Sequence, residues 1–211
     1  KSSVEMITET VREHAGDIHI ISIAPMTNIA AALNRSPDIL PMISSIITIN
    51  GSYGVSKSYG KYNSRVEWNA TVDPEAAKIV LESGIEIRAM GVDVTGELTN
   101  GLYHNLLAKG EEGYNDAMPC RFLRDAGAFL RGRNLEPAGL FVDVMAVAYA
   151  AEPQIAALVH GKVAVETKGE ITTGATVFDN VGNISNPSNV YAAYDYRFDT
   201  LERMLSDRVF L

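Results

Sequence analysis

Three short, nearly unbroken apolar runs, IHIISIA (18–24), SIITIN (45–50) and IEIRAM (85–90), each follow a segment with helical spacing. A strand without polar alternation has no face to turn toward water. These runs therefore predict strands covered on both sides, as in a parallel sheet between helices. In KSSVEMITETVREHAG, Val4, Ile7 and Val11 share one face, with Ser2 or Ser3 near the N-cap and Gly16 at the end. TNIAAALNRSPDILPMI and DPEAAKIVLESG fall between the strands, the latter with Asp73 as N-cap, Pro74 opening the helix and Gly84 closing it. The alternation predicts an α/β fold: an open, mostly parallel sheet with helices on both faces.

Farther along, YNDAMPCRFLRDAGAFLRG (114–132) predicts a helix after Pro119, and GLFVDVMAVAYAAEPQ (139–154) a strongly apolar one. KVAVETKGEITTGATVFDN alternates like a hairpin, and a strand NVYAAYDY and a short helix FDTLERML follow. The net charge of −8 argues against a nucleic-acid backbone or an anionic membrane as partner. No apolar run approaches the roughly 18 to 20 residues of a membrane span, no signal-peptide pattern opens the chain, and a cytoplasmic location is the expectation. The single cysteine, Cys120, excludes an intrachain disulfide and a thiolate zinc cluster within one chain. Neither a GxGxxG nor a GKS/T phosphate loop follows a strand, and no GxSxG elbow is present.

In such a sheet ligands gather beyond the carboxyl ends of the strands, so APMTN (24–28), NGSYG (50–54) and GVDVTGE (91–97) should share one rim. The polar, Gly/Tyr-rich GSYGVSKSYGKYNSRVEWN is either a surface loop or a binding loop. Glu67 and Asn69 stand two residues apart; in an extended segment they would point to one side, with Trp68 opposite, and offer the donors and acceptors that sugar hydroxyls need. Alternatively they fix the loop ahead of Asp73. Thr27 either caps its helix or exposes a carbonyl to calcium. Asp143, between Val142 and Val144 in an apolar segment, would need a partner if buried, and reads as a helix cap, a hard-cation ligand or a catalytic acid. His14, His19, His104 and His160 show no metal spacing. Asp93 and Asp116 are acids with no claim beyond position, and helix polarity accounts for Asp116.

Taken in order, SIAPMTNIAAAL, SIITINGSYG, VEWNATVDPEAAKIVLESGI, FVDVMAVAYAAEP and VETKGEITTGATVFDN resemble segments of the nucleoside hydrolases, the inosine-uridine preferring nucleoside N-ribohydrolase family. The resemblance implies that residues 1–211 form one nucleoside hydrolase-like domain, about the C-terminal two-thirds of a family member. It implies calcium-dependent hydrolysis of the N-glycosidic bond of ribonucleosides, in nucleoside salvage. It makes the Thr27 carbonyl and the Asp143 carboxylate calcium ligands, has Glu67 and Asn69 hold ribose hydroxyls with Trp68 in place of a phenylalanine, and puts Asn50 at the pocket rim.

Two departures qualify the match. The family's N-terminal Asp-rich segment, which carries further metal ligands and the general base, has no counterpart here and is expected before Lys1. Val142 stands where some members have a histidine that protonates the leaving purine, and valine cannot donate a proton. The alternative is therefore a catalytically silent binding or scaffold protein. The implied partner is the ribose moiety of a nucleoside, with neither nucleic acid nor membrane involved. Association as a homo-oligomer, or with an N-terminal portion, is expected because the sheet would otherwise expose an edge.

Overall fold

The computed structural model describes residues 1–55, 66–113 and 118–208, so Asp116 and much of the Gly/Tyr-rich stretch lie outside the described residues. The chain divides into two compact units, Lys1–Gly96 with Ala157–Asp195, and Glu97–Ala156 with Tyr196–Leu211.

The first unit carries α1 (Ser3–Glu13), β1 (His19–Ser22), α2 (Thr27–Arg35), β2 (Ser45–Thr48), α3 (Trp68–Val72), α4 (Pro74–Leu81), β3 (Ile87–Ala89) and α5 (Val92–Thr95). It also holds nearly all of β4 (Ala156–Val165), β5 (Thr176–Asp179) and β6 (Val190–Tyr196). The strands form one mixed sheet in the order β1-β2-β3-β6-β4-β5. The first four in that order are parallel, and β4 and β5 form the expected antiparallel pair. Ile46 lies beside Ile87 and Ile87 beside Val190, so three fully buried side chains make one row across the sheet. Met26, Ile29, Leu33, Val80 and Leu81, from α2, its entry and α4, join them in one core, which is why those helices show apolar residues at helical spacing.

Double-sided coverage holds for β2, where every residue is buried, and fails for β1, where His19 and Ile21 are exposed. The reason is position: β1 ends the strand order and pairs on one side only, with Ile21 and Ile23 left open to solvent. The helix ends follow the sequence closely. Ser2 and Glu5 make a reciprocal capping box on α1, the Glu5 amide donating to the Ser2 hydroxyl at 3.3 Å and the Ser2 amide to the Glu5 carboxylate at 2.9 Å. Asp73 caps α4 through the Ala76 amide at 3.0 Å, with Pro74 at its first position. Gly16 and Gly84 take the left-handed conformation after their helices.

The second unit holds α6 (Asn100–Gly113), α7 (Met118–Arg131), α8 (Val142–Ala151) and α9 (Phe198–Arg208), with short 3-10 turns at Pro137–Phe141 and Pro153–Ile155. The apolar segment predicted as one helix over 139–154 is thus α8 flanked by two tighter turns, each opened by a proline. The sequence reading assigned no element to residues 100–113, where glycine at both ends and an even mix of polar and apolar residues blur the helical stripe. What seats α6 is tertiary. Tyr103 is fully buried against Gly127 of α7, where an added Cβ would drive into the phenol, and Arg131 donates to the Tyr103 hydroxyl at 2.9 Å.

Because that contact admits no methyl group, Gly127→Ala should cost about 1–3 kcal/mol of stability, as overpacking does. It should appear as a lower urea midpoint at unchanged m value. An unchanged midpoint would mean that α6 and α7 do not meet at this point.

Candidate functional site at the carboxyl ends of the strands

Beyond the ends of β1, β2 and β3 the backbone is held by a few side chains that each serve two segments. The Thr48 hydroxyl donates to the Ser22 carbonyl at 3.1 Å and accepts from the Asn50 amide at 3.0 Å and the Asn50 carboxamide at 2.9 Å. The Asn50 carboxamide also donates to the Ala24 carbonyl at 3.2 Å. Asn50 is fully buried, and its side-chain oxygen has no hydrogen-bond partner, an acceptor left facing inward among the described residues.

Gly51 follows with φ +92°, a conformation in which a side chain would strike the Tyr53 ring. Its carbonyl accepts from the Val92 amide at 3.0 Å and its amide donates to Glu67 at 3.2 Å. Asp93 accepts the amides of Tyr53 at 2.7 Å and Val55 at 2.8 Å, so its place is as an anchor of the loop after β2. The Thr176 hydroxyl on β5 bridges the amide and carbonyl of Ser52. Tyr53 itself is buried, with its ring edge-on to Phe178 and its hydroxyl donating to the Asn50 carbonyl at 2.8 Å. Burial first, then the negative charges of Asp93 and Glu67, push its phenol far above the ordinary value, so it stays a hydrogen-bond donor.

Glu67 is the centre of this arrangement. Its backbone is extended, but a helix begins at the next residue, and its carboxylate accepts the amides of Asn69 at 2.8 Å, Ala70 at 3.0 Å and Gly51 at 3.2 Å. Of the two readings of this stretch, an extended segment with Glu67 and Asn69 on one side or residues that fix the loop ahead of Asp73, the backbone follows the second. Glu67 caps α3, Asn69 sits in its first turn, and Trp68 is 77 % exposed. Alternation misleads here because a carboxylate followed by free amides favours a cap over continued extension. A carboxylate offers about four lone-pair directions. Three are taken, which leaves one on a group only 8 % exposed. The Asn69 carboxamide, half-buried beside it, makes no hydrogen bond among the described residues.

Thr27 does not cap α2 with its side chain. The N-cap is Met26, without a side-chain bond, and the Thr27 hydroxyl donates to Asp73 at 2.5 Å. Asp73 therefore joins the starts of α2 and α4, a link between residues too far apart in the chain for spacing to reveal. Asp143, in the second unit, lies in the first turn of α8 and is exposed, so the expected cost of a buried carboxylate does not arise; nor does it cap, since the N-cap is Phe141. Partial desolvation still raises its pKa above the ordinary carboxylate value. Of the sequence-selected residues, the first unit brings Asn50 and Glu67 together through Gly51, with Asn69 adjoining. Among the described residues no group of three or more His, Cys, Asp or Glu side chains is placed to hold a metal ion. Thr48, Asp93 and Thr176 escaped selection as anchors, because an anchor declares itself only through the amides it meets.

Two expectations follow. Glu67→Gln would set an amide donor against backbone donors and should cost about 1–3 kcal/mol of stability; a melting temperature equal to that of the wild type would show that this cap is not formed. For Asp143, the folded state binds the proton more tightly than the unfolded state, so stability falls as pH rises from the ordinary aspartate value near ~3.9 through the higher folded one. Asp143→Asn should then be more stable than the wild type at neutral pH, measured by urea unfolding with a chelator present, and the difference should vanish below that window. A gain that persisted there would not come from this titration.

Comparison with known proteins agrees with the architecture. The family model for the inosine-uridine preferring nucleoside hydrolases matches residues 1–203. The non-specific ribonucleoside hydrolase RihC of Escherichia coli O127:H6 is 31 % identical over 192 residues, which are 90 % of this chain and 60 % of that protein. RihC of Escherichia coli O1:K1 is 33 % identical over 180 residues, covering 84 % and 56 %. The chain thus spans less than two thirds of these relatives. Among solved structures, the purine-preferring ribonucleoside hydrolase of Gardnerella vaginalis superposes with a TM-score of 0.79 at 25 % identity, over 100 % of this chain and 66 % of that one. A plant nucleoside hydrolase, the PpNRh1 enzyme, gives 0.78 at 24 % identity over 98 % and 66 %, a likeness of fold. With its α/β sheet and a family match running almost from end to end, the chain belongs to the inosine-uridine preferring nucleoside hydrolase family.

Proposed function

We propose that this chain supplies the ribose-holding part of an enzyme that hydrolyses the N-glycosidic bond of ribonucleosides to ribose and free base. The observation that carries the reading is the Glu67 carboxylate, held by three backbone amides with one acceptor direction spare, beside an Asn69 carboxamide that makes no hydrogen bond among the described residues. In this reading Glu67 accepts the hydrogen of one ribose hydroxyl and Asn69 both accepts and donates at its neighbour, so the two align the diol. Because Glu67 is already oriented by the backbone, it spends little reorganisation as charge develops. Its negative charge also favours the cationic, oxocarbenium-like sugar of glycosidic cleavage. Trp68 supplies an exposed apolar plate at the entrance, and Asn50 lies under the loop that carries Gly51. The name of the RihC relatives, non-specific ribonucleoside hydrolase, supports the substrate class.

Calcium is the metal proposed, with the Thr27 carbonyl and the Asp143 carboxylate as oxygen donors from this chain. Their chemistry suits a hard cation. Each would be one of the six to eight oxygens calcium takes. Bound there, calcium would lower the pKa of a water and help orient the sugar diol. The general base is assigned to no residue in the described chain, and Val142 gives the leaving base no proton.

The test is ribose release from uridine and inosine in the presence of calcium by the protein. Asn69→Ala should lower kcat/KM by about tenfold or more, the loss of hydrogen bonds to a ribose hydroxyl, while leaving the melting temperature near that of the wild type. If the wild-type protein released no ribose from any nucleoside, the hydrolase reading would fall. If Asn69→Ala were fully active, the assignment of Asn69 would fall alone.

A further inference from the structure

In the second unit, α9 lies against the Pro153–Ile155 turn that follows α8, and a cavity of about 330 Å³ opens between them. That volume is at the small end of ligand pockets. The backbone there is firmly set: the Arg197 amide donates to the Ile155 carbonyl at 2.8 Å, and the Arg197 carbonyl accepts the Thr200 and Leu201 amides at 3.1 Å each. Arg197 just ahead of α9, Thr200 and Arg203 at successive spacings of three, and Arg208 at the end of α9 all line the cavity.

Two observations single this cavity out. Three guanidinium groups enter it against two carboxylates, those of Glu152 and Asp207, in a chain whose net charge is −8. None of the three arginines forms an ion pair among the described residues, although both acids line the same space. Independently, Thr200 is 3 % exposed and its hydroxyl has no hydrogen-bond partner. A buried hydroxyl without an acceptor is costly unless a ligand or solvent completes it. Planar guanidinium forks match the paired oxygens of a phosphoryl group, and a tetrahedral anion can take donors from more directions than a flat carboxylate.

We propose that this cavity binds a phosphoryl dianion, either free phosphate or the phosphate of a small phosphomonoester, with Arg197, Arg203, Arg208 and the Thr200 hydroxyl as donors. For an ester, Glu152 and Gln154 would accept from the hydroxyls of the attached group. None of the residues assigned to ribose lines this cavity, so the proposal stands apart from nucleoside hydrolysis.

Calorimetry at constant ionic strength tests it with three probes, inorganic phosphate, ribose 5-phosphate and acetate. Saturable binding of phosphate or the ester is expected, weakened by about tenfold or more in the Arg203→Gln, Arg208→Gln double variant, which removes charge-assisted bonds. Thr200→Val, which keeps the shape, should weaken it several-fold with the circular dichroism spectrum unchanged. Tighter binding of the ester than of free phosphate identifies a phosphomonoester site; equal binding identifies phosphate. The proposal is overturned if neither probe saturates, if acetate competes equally, or if the double variant binds as the wild type does.

Discussion

A single carboxylate holds the candidate site of the first unit together. Glu67 accepts two amides from the helix it starts and one from Gly51 in the loop after β2, so the opening of α3 and the end of a core strand are fixed by one side chain. Gly51 passes the constraint on through its carbonyl to the Val92 amide, and Asp93 returns it to the same loop at Tyr53 and Val55. Charge-assisted bonds of this kind are worth roughly 1.5–3 kcal/mol each where they replace water imperfectly. The rim is thus held both by anions meeting amides and by the buried Tyr53 ring packed edge-on to Phe178.

The parts of the fold legible in the sequence are those written in local code. The serine N-cap of α1, the Asp73–Pro74 start and the Ile-rich strands each declare themselves within a few residues, and each is where it was expected. The parts that were not legible depend on partners far away in the chain. Of the two readings of Thr27, a cap or a carbonyl turned to calcium, the side-chain cap is not made, and the hydroxyl serves Asp73 instead. Apolar neighbours left open whether Asp143 was buried, and it lies with Val147 and Ala150 on an exposed face of α8. Helix α6 is seated by Tyr103 against Gly127, a fit that no periodicity announces.

At the candidate site the distinction that matters is one of hydrogen-bond partners. The sequence left Glu67 and Asn69 with two readings, a sugar-holding pair on one side of an extended segment or residues that fix the loop ahead of Asp73. The structure separates them: Glu67 is committed to the backbone, while the Asn69 carboxamide makes no hydrogen bond among the described residues.

That separation bears on how relatives of this chain should be read. A residue that stabilises the fold will be retained by selection for folding alone, whether or not any nucleoside is ever bound. Glu67 is such a residue, and finding it in a related sequence says little about activity. Asn69 has no comparable duty in the described structure, so the persistence of a carboxamide at that position is the better marker of a working pocket, and its loss the earlier sign of one abandoned.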